Sequence, residues 1–161
     1  MLGVTMASYY TSQAYDAPPQ LIWTILTDFP AWPRWFPNMS SLRLEDEHAA
    51  GPGATLMALT DDGRNWARWR IIDWKDAELL LCEFHGTNAG LSAQIQNAYL
   101  QFALLNEPEG CTLEVEIGAE GSGIVGDFFV GTSLGMGARR MLPRLMDAFT
   151  DHVIERVSSM P

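Results

Sequence analysis

The chain has 161 residues, with 20 acidic against 10 basic side chains, a formal net charge of −10, 47% hydrophobic and 19% charged residues. This length and composition suit a single folded domain over residues 1–161 with a sizeable core, and exclude a disordered chain. The acid excess argues against nucleic acid and anionic membrane surfaces as partners, and no stretch has the length of a membrane-spanning helix.

Val4 to Tyr15 is rich in Thr, Ser and Tyr and reads as a strand. No basic region followed by a continuous apolar run precedes it, so no signal peptide is expected. Pro18 to Leu26 reads as a short helix. Its two prolines suit the first turn, and Leu21, Ile22, Ile25 and Leu26 fall on one stripe. Asp28 to Pro37 then packs three prolines and four aromatic residues into ten positions. The prolines forbid a long helix or a central strand, and the rings carry too much apolar area to leave in water. The segment is therefore a stiff bend whose aromatic side chains are buried.

Strands are expected over Ser40–Asp46, Ala54–Thr60, Asn65–Asp73, Glu78–Gly86, Leu91–Leu105 and Cys111–Ile117. Asp61-Asp-Gly-Arg64 is a hairpin turn, and turns are read at Glu47–Gly53, Trp74–Ala77 and Glu107–Gly110. Gly118 to Gly126 reads as a glycine-rich loop. The remainder to about Val157 is helical, with Leu142, Leu145, Met146, Phe149 and Val153 on one face and Asp147, Asp151, Glu155 and Arg156 largely opposite. Pro143 predicts a kink or a division into two helices, and Gly131, Gly135 and Gly137 weaken the part upstream. Six consecutive strands with short turns make an antiparallel sheet, and the amphipathic helix must cover its core face.

This order resembles the SRPBCC superfamily, the START-like or birch-pollen-allergen helix-grip fold, over nearly the whole chain. The matching residues are Ala17-Pro-Pro-Gln-Leu-Ile-Trp23, the bend at Asp28-Phe29, Trp32-Pro33 and Trp35-Phe36-Pro37, then Pro52-Gly53 and Phe102-Ala-Leu104 leading to Gly110-Cys-Thr112. The glycine-rich entry and the long C-terminal helix complete the match, which is strongest with bacterial polyketide cyclase/dehydrase-like members. The resemblance implies an α+β fold: a curved seven-stranded antiparallel sheet wrapped around a long C-terminal helix, with two short helices between the first two strands. It leaves function open, because the superfamily includes ligand carriers, cyclases, quinone-binding proteins and chaperone regulators.

Pairing across the hairpin gives the sheet faces. Leu56 faces Trp69, Ala58 faces Ala67 and Ala54 faces Ile71, and this apolar set should turn inward. Met57, Leu59 and Trp66 then turn outward with Arg68 and Arg70, as an exposed patch suited to a homodimer contact. Leu80, Cys82 and Phe84 are inward by the same alternation, as are Leu100, Phe102 and Leu104. Gln94 and Gln96 share that parity and would orient a ligand carbonyl or hydroxyl, unless a bulge in the strand's first half leaves them in solvent. Trp35 and Phe36 either cap the pocket mouth or pack beneath the bend. For Trp32 the core placement is favoured.

Catalytic signals are thin. His48 lies in a turn, His85 on the outer parity and His152 late in the last helix, each read as a surface histidine. No metal-binding, nucleophile or phosphate-loop motif appears, so no catalytic residue, metal or cofactor is assigned. Cys82 and Cys111 are too few for a disulfide framework and read as buried thiols in a cytoplasmic protein. The expected function is binding of a small, largely apolar molecule (a lipid, an aromatic or a polyketide-like compound) between sheet and helix, with no membrane insertion. The expected contacts are Trp35, Phe36, Leu56, Trp69, Ile71, Phe84, Gln96, Phe102, Leu142 and Met146. Ligand entry would move the Gly118–Gly126 loop or the bend. The alternatives are a polyketide aromatase/cyclase or dehydratase, and a partner-binding regulator with a closed core.

Overall fold

The computed structural model describes residues 5–45, 49–88, 95–121 and 135–160. In chain order these form β1 (Thr5–Tyr15), α1 (Pro19–Leu26), a 3-10 helix (Phe29–Arg34), β2 (Met39–Leu44), β3 (Thr55–Thr60), β4 (Trp66–Lys75), β5 (Leu79–Thr87), β6 (Ile95–Glu107), β7 (Gly110–Gly121) and α2 (Gly135–Ser158). The strands make one antiparallel sheet in the order β1-β7-β6-β5-β4-β3-β2. This is the expected fold: seven strands, two short helices after the first, and a long helix at the end.

The hairpin register is the one that alternation gives, with Leu56 opposite Trp69 and Ala58 opposite Ala67. Asp62 holds the turn, accepting from Thr60 Oγ1 at 2.7 Å and from the Arg64 N–H at 3.0 Å. These bonds favour the carboxylate and pull its pKa below the ordinary value. At the β6–β7 turn, a Cβ on Gly110 would overlap the Tyr15 carbonyl, and φ there is +152°. Glycine lets β1 and the start of β7 approach this closely.

Two expectations about the strands change. Trp74 is not in a turn, because β4 continues to Lys75. The register between β4 and β5 shifts between Ile71 and Asp73. One extra residue reverses the alternation, so Ile72 is exposed while Trp74 packs at 5.1 Å from Trp23. The Gly118–Gly121 part of the expected loop is strand, paired with both β1 and β6. There the ring of Tyr99 lies over Gly118, closer than any Cβ would allow. The bulge weighed for the first half of β6 is present, between Gln96 and Tyr99. Gln94, His48 and residues 122–126 lie outside the described residues.

The core joins the inner sheet face to both helices. Leu80, Phe102, Leu113 and Val115 are fully buried beneath Ile22, Ile25 and Leu26 of α1 and Leu145 and Phe149 of α2. All five apolar residues expected on the α2 stripe are buried. The helix runs unbroken through Pro143, which is exposed. The Tyr15 hydroxyl lies 2.9 Å from Thr150 Oγ1 and also approaches Met146 Sδ, linking β1 to α2.

Candidate functional site

The bend sets the site. After the 3-10 helix the Trp35 and Phe36 N–H groups both bond to the Trp32 carbonyl, at 3.0 and 2.7 Å. This tight turn directs three large rings inward from five residues. Trp32 donates its Nε1–H to the Leu26 carbonyl at 2.7 Å and stacks on Phe36 at 5.4 Å, 14° from parallel. Trp35 turns the other way, with centroids 4.8 Å from Phe149 on α2 and 6.2 Å from Phe102 on β6. It fills the space between sheet and helix.

Beside this plug lies a cavity of about 60 Å³ lined by Trp32, Phe36, Met39, Leu42, Leu56, Trp69, Cys82 and Leu100. Its floor is regular. Leu42, Leu56, Trp69, Cys82 and Leu100 come from five neighbouring strands, β2 to β6, and Trp32 and Phe36 of the bend with Met39 at the start of β2 close it over. Burial is the cause of the Cys82 thiol being pushed up to about 12, so it is a neutral thiol near pH 7 and no ready nucleophile.

Of the expected contacts, Phe36, Leu56 and Trp69 line this cavity. Trp35, Ile71, Phe102, Leu142 and Met146 are buried in the surrounding core, each at most 3% exposed. Phe84 is half-buried and packs edge-on against Trp69 at 5.5 Å. Gln96 stands opposite Glu120 in the ladder, beyond the bulge, so counting back by twos from Leu100 does not fix its face. Trp32, Met39, Leu42, Cys82 and Leu100 were not among the expected contacts. Alternation already marks Cys82 and Leu100 as inward. Trp32 is buried as expected and also lines the cavity, and Trp35 takes the packed alternative, because the turn at Trp32 decides which ring meets the helix.

Two corrections concern groups set aside from the sequence. Met57, Leu59 and Trp66 face outward but are half-buried, not an exposed patch. The Arg68 guanidinium lies 5.0 Å from the Trp66 ring, and its Nε bonds Glu45 at 3.1 Å. His152 is not a surface residue. It is 3% exposed, and its position three residues after Phe149 on the apolar stripe was the missed signal.

No helix among the described residues is long and apolar enough to cross a membrane. A family model described as polyketide cyclase/dehydrase and lipid transport matches residues 6–158. No curated protein matches the chain. Solved structures are similar along the full fold. The crystal structure of Ara h 8.0201 has 13% identity and a TM-score of 0.71, covering 94% of this chain and 99% of that one. Protein MLL2253 from Mesorhizobium loti has 15% identity and a TM-score of 0.70, covering 93% and 98%. A Thalictrum norcoclaurine synthase point mutant, in complex with a transition-state analogue, has 13% identity and a TM-score of 0.71, covering 97% and 99%. At these identities the likeness is one of fold.

Proposed function

This chain belongs to the polyketide cyclase/dehydrase and lipid transport family, and from that premise we propose that it binds a small, largely apolar molecule in the cavity beneath the aromatic bend. The carrying observation is the lining: five inner-face strand residues closed over by Trp32, Phe36 and Met39, with Cys82 as the one ionisable group among them. Such a surface gains from removing apolar ligand area from water. A ligand burying ~300 Å² gains roughly 7 kcal/mol before the costs of ordering.

The cavity volume of about 60 Å³ limits what enters without rearrangement. It is smaller than the ~150 Å³ that admits benzene in an engineered apolar cavity. A few-carbon group fits the closed form. A whole lipid or polyketide-like molecule requires Phe36 of the bend and Met39 at the start of β2, both half-buried, to move outward. The free, buried Cys82 and Cys111 are in keeping with a cytoplasmic setting.

Native mass spectrometry of protein purified from its expression host should reveal a co-purified apolar molecule. A titration with straight-chain alcohols and naphthalene, followed by tryptophan emission, should give saturable quenching. Leu56→Phe fills the cavity and should weaken that response at least tenfold. A clean mass together with no saturable response to any probe would end this reading.

A further inference from the structure

Ile22, Ile25 and Leu26 tie α1 to the core, but the join between the aromatic bend and the end of α2 contains charge. His152 lies there, buried, and neither Nδ1 nor Nε2 has a hydrogen-bond partner among the described residues. The ionisable groups acting on it come from both sides of the join: Asp28 and Arg34 from the bend, Glu155 and Arg156 from α2. Arg156 Nη1 donates to Asp28 Oδ2 at 2.9 Å, so the carboxylate on the bend is already engaged. Asp151, next to His152 in sequence, is exposed.

We propose that His152 is an acid-sensitive latch, closed when its ring is neutral and opened by protonation, between the aromatic bend and α2. The neutral ring packs as part of the apolar stripe. An imidazolium would bring two N–H donors and a positive charge into a site with two arginines. Staying in place leaves that charge buried beside two arginines, with Glu155 and Asp28 compensating it only in part. Drawing Asp28 toward it breaks the Asp28–Arg156 bridge. Both outcomes loosen the join. The bend follows, because Arg34 precedes Trp35, whose ring packs 4.8 Å from Phe149, one helical turn before His152.

The direction of the pH dependence is fixed by the same surroundings. Burial, then Arg156, hold the imidazole below its ordinary value of 6.5, with Arg34 adding to them and Glu155 and Asp28 opposing. A depressed folded-state pKa gives stability that is complete above about 6.5, the unfolded value, and is lost as pH falls from there through the folded value. Within that window the melting temperature should fall by about 3–5 °C per pH unit, the equivalent of a tenfold change in folding equilibrium.

The test is thermal unfolding of the full chain from pH 7.5 to 5.0, beside His152→Leu and His152→Gln. The wild type should lose melting temperature below pH 6.5, with a red shift of tryptophan emission that Trp35→Phe diminishes. Both His152 variants should lack that slope. An NMR titration of the wild-type imidazole gives a readout that needs no variant to fold, and should show His152 titrating below 6.5. An acid slope retained in the His152 variants, or a His152 titrating at or above 6.5, would overturn the latch.

Discussion

The inner face of the sheet is covered in two different ways. At the β1 side, α2 lies on the strands as a regular amphipathic helix, and Leu113, Val115, Leu145 and Phe149 are at most 1% exposed. At the β2 side, the 3-10 helix and the turn after it supply the cover, and the cavity lies beneath. A helix presents side chains at a constant pitch, so ridges meet the sheet along its length. A proline-locked bend presents a few large rings at fixed angles, and rings do not fill every gap between five strands. Trp35 is the boundary, touching Phe149 on one side and Trp32 on the other.

Removing that boundary should have the largest effect. Trp35→Ala is expected to cost about 3–5 kcal/mol in urea unfolding, because the ring contacts both regions. A loss under about 1 kcal/mol would show that the two regions pack independently. The next effect belongs to the helix side. Burial raises the Tyr15 hydroxyl to about 12, against a partial lowering from its Thr150 bond. The neutral form is favoured in the folded state, so stability is intact below about pH 10 and declines as pH rises toward 12. The Tyr15 share of the loss is about 2–3 kcal/mol, measured by denaturation at stepped alkaline pH, and Tyr15→Phe should lower the total alkaline loss by that amount, the rest belonging to the buried Cys82 thiol.

A matched pair of truncations sharpens the contrast. Leu113→Ala, within the dense side, should cost about 4 kcal/mol, and Leu42→Ala, whose side chain already borders empty space, about 2. Equal losses would mean that the cavity wall is packed as tightly as the rest. Leu42→Ala should also admit larger probes in the quenching titration. The smallest effect is expected from Asp28→Asn. Its bridge to Arg156 is partly in solvent, with side-chain exposures of 38% for Asp28 and 33% for Arg156, so the loss should stay below about 1 kcal/mol.

Most of the architecture was legible in the residues. Alternation in the β3–β4 hairpin gave its register, and the stripe Leu142, Leu145, Met146, Phe149, Val153 gave the buried face of α2. Legibility failed wherever one residue was added or one turn tightened. The bulge at Ile72 returned Trp74 to the core, and the bulge before Tyr99 removed the basis for turning Gln96 inward. Gly118 reads as loop in the sequence because its partner, the Tyr99 ring that covers it, comes from another strand.

The order of elements, the faces of the regular ones and an interior rich in aromatic side chains are written in the residues alone. Those properties follow from local periodicity and from the backbone limits of proline and glycine. Which ring of the bend would meet α2 and which would close the cavity was decided only in three dimensions. The Trp32 carbonyl receives two N–H groups and the Leu26 carbonyl receives the Trp32 indole, and none of these three bonds leaves a periodic trace. His152 shows the same division. Its place on the helix was readable from spacing, but its burial beside Arg34 and Asp28 depends on how the bend docks, and docking fixes the energy of its charged form.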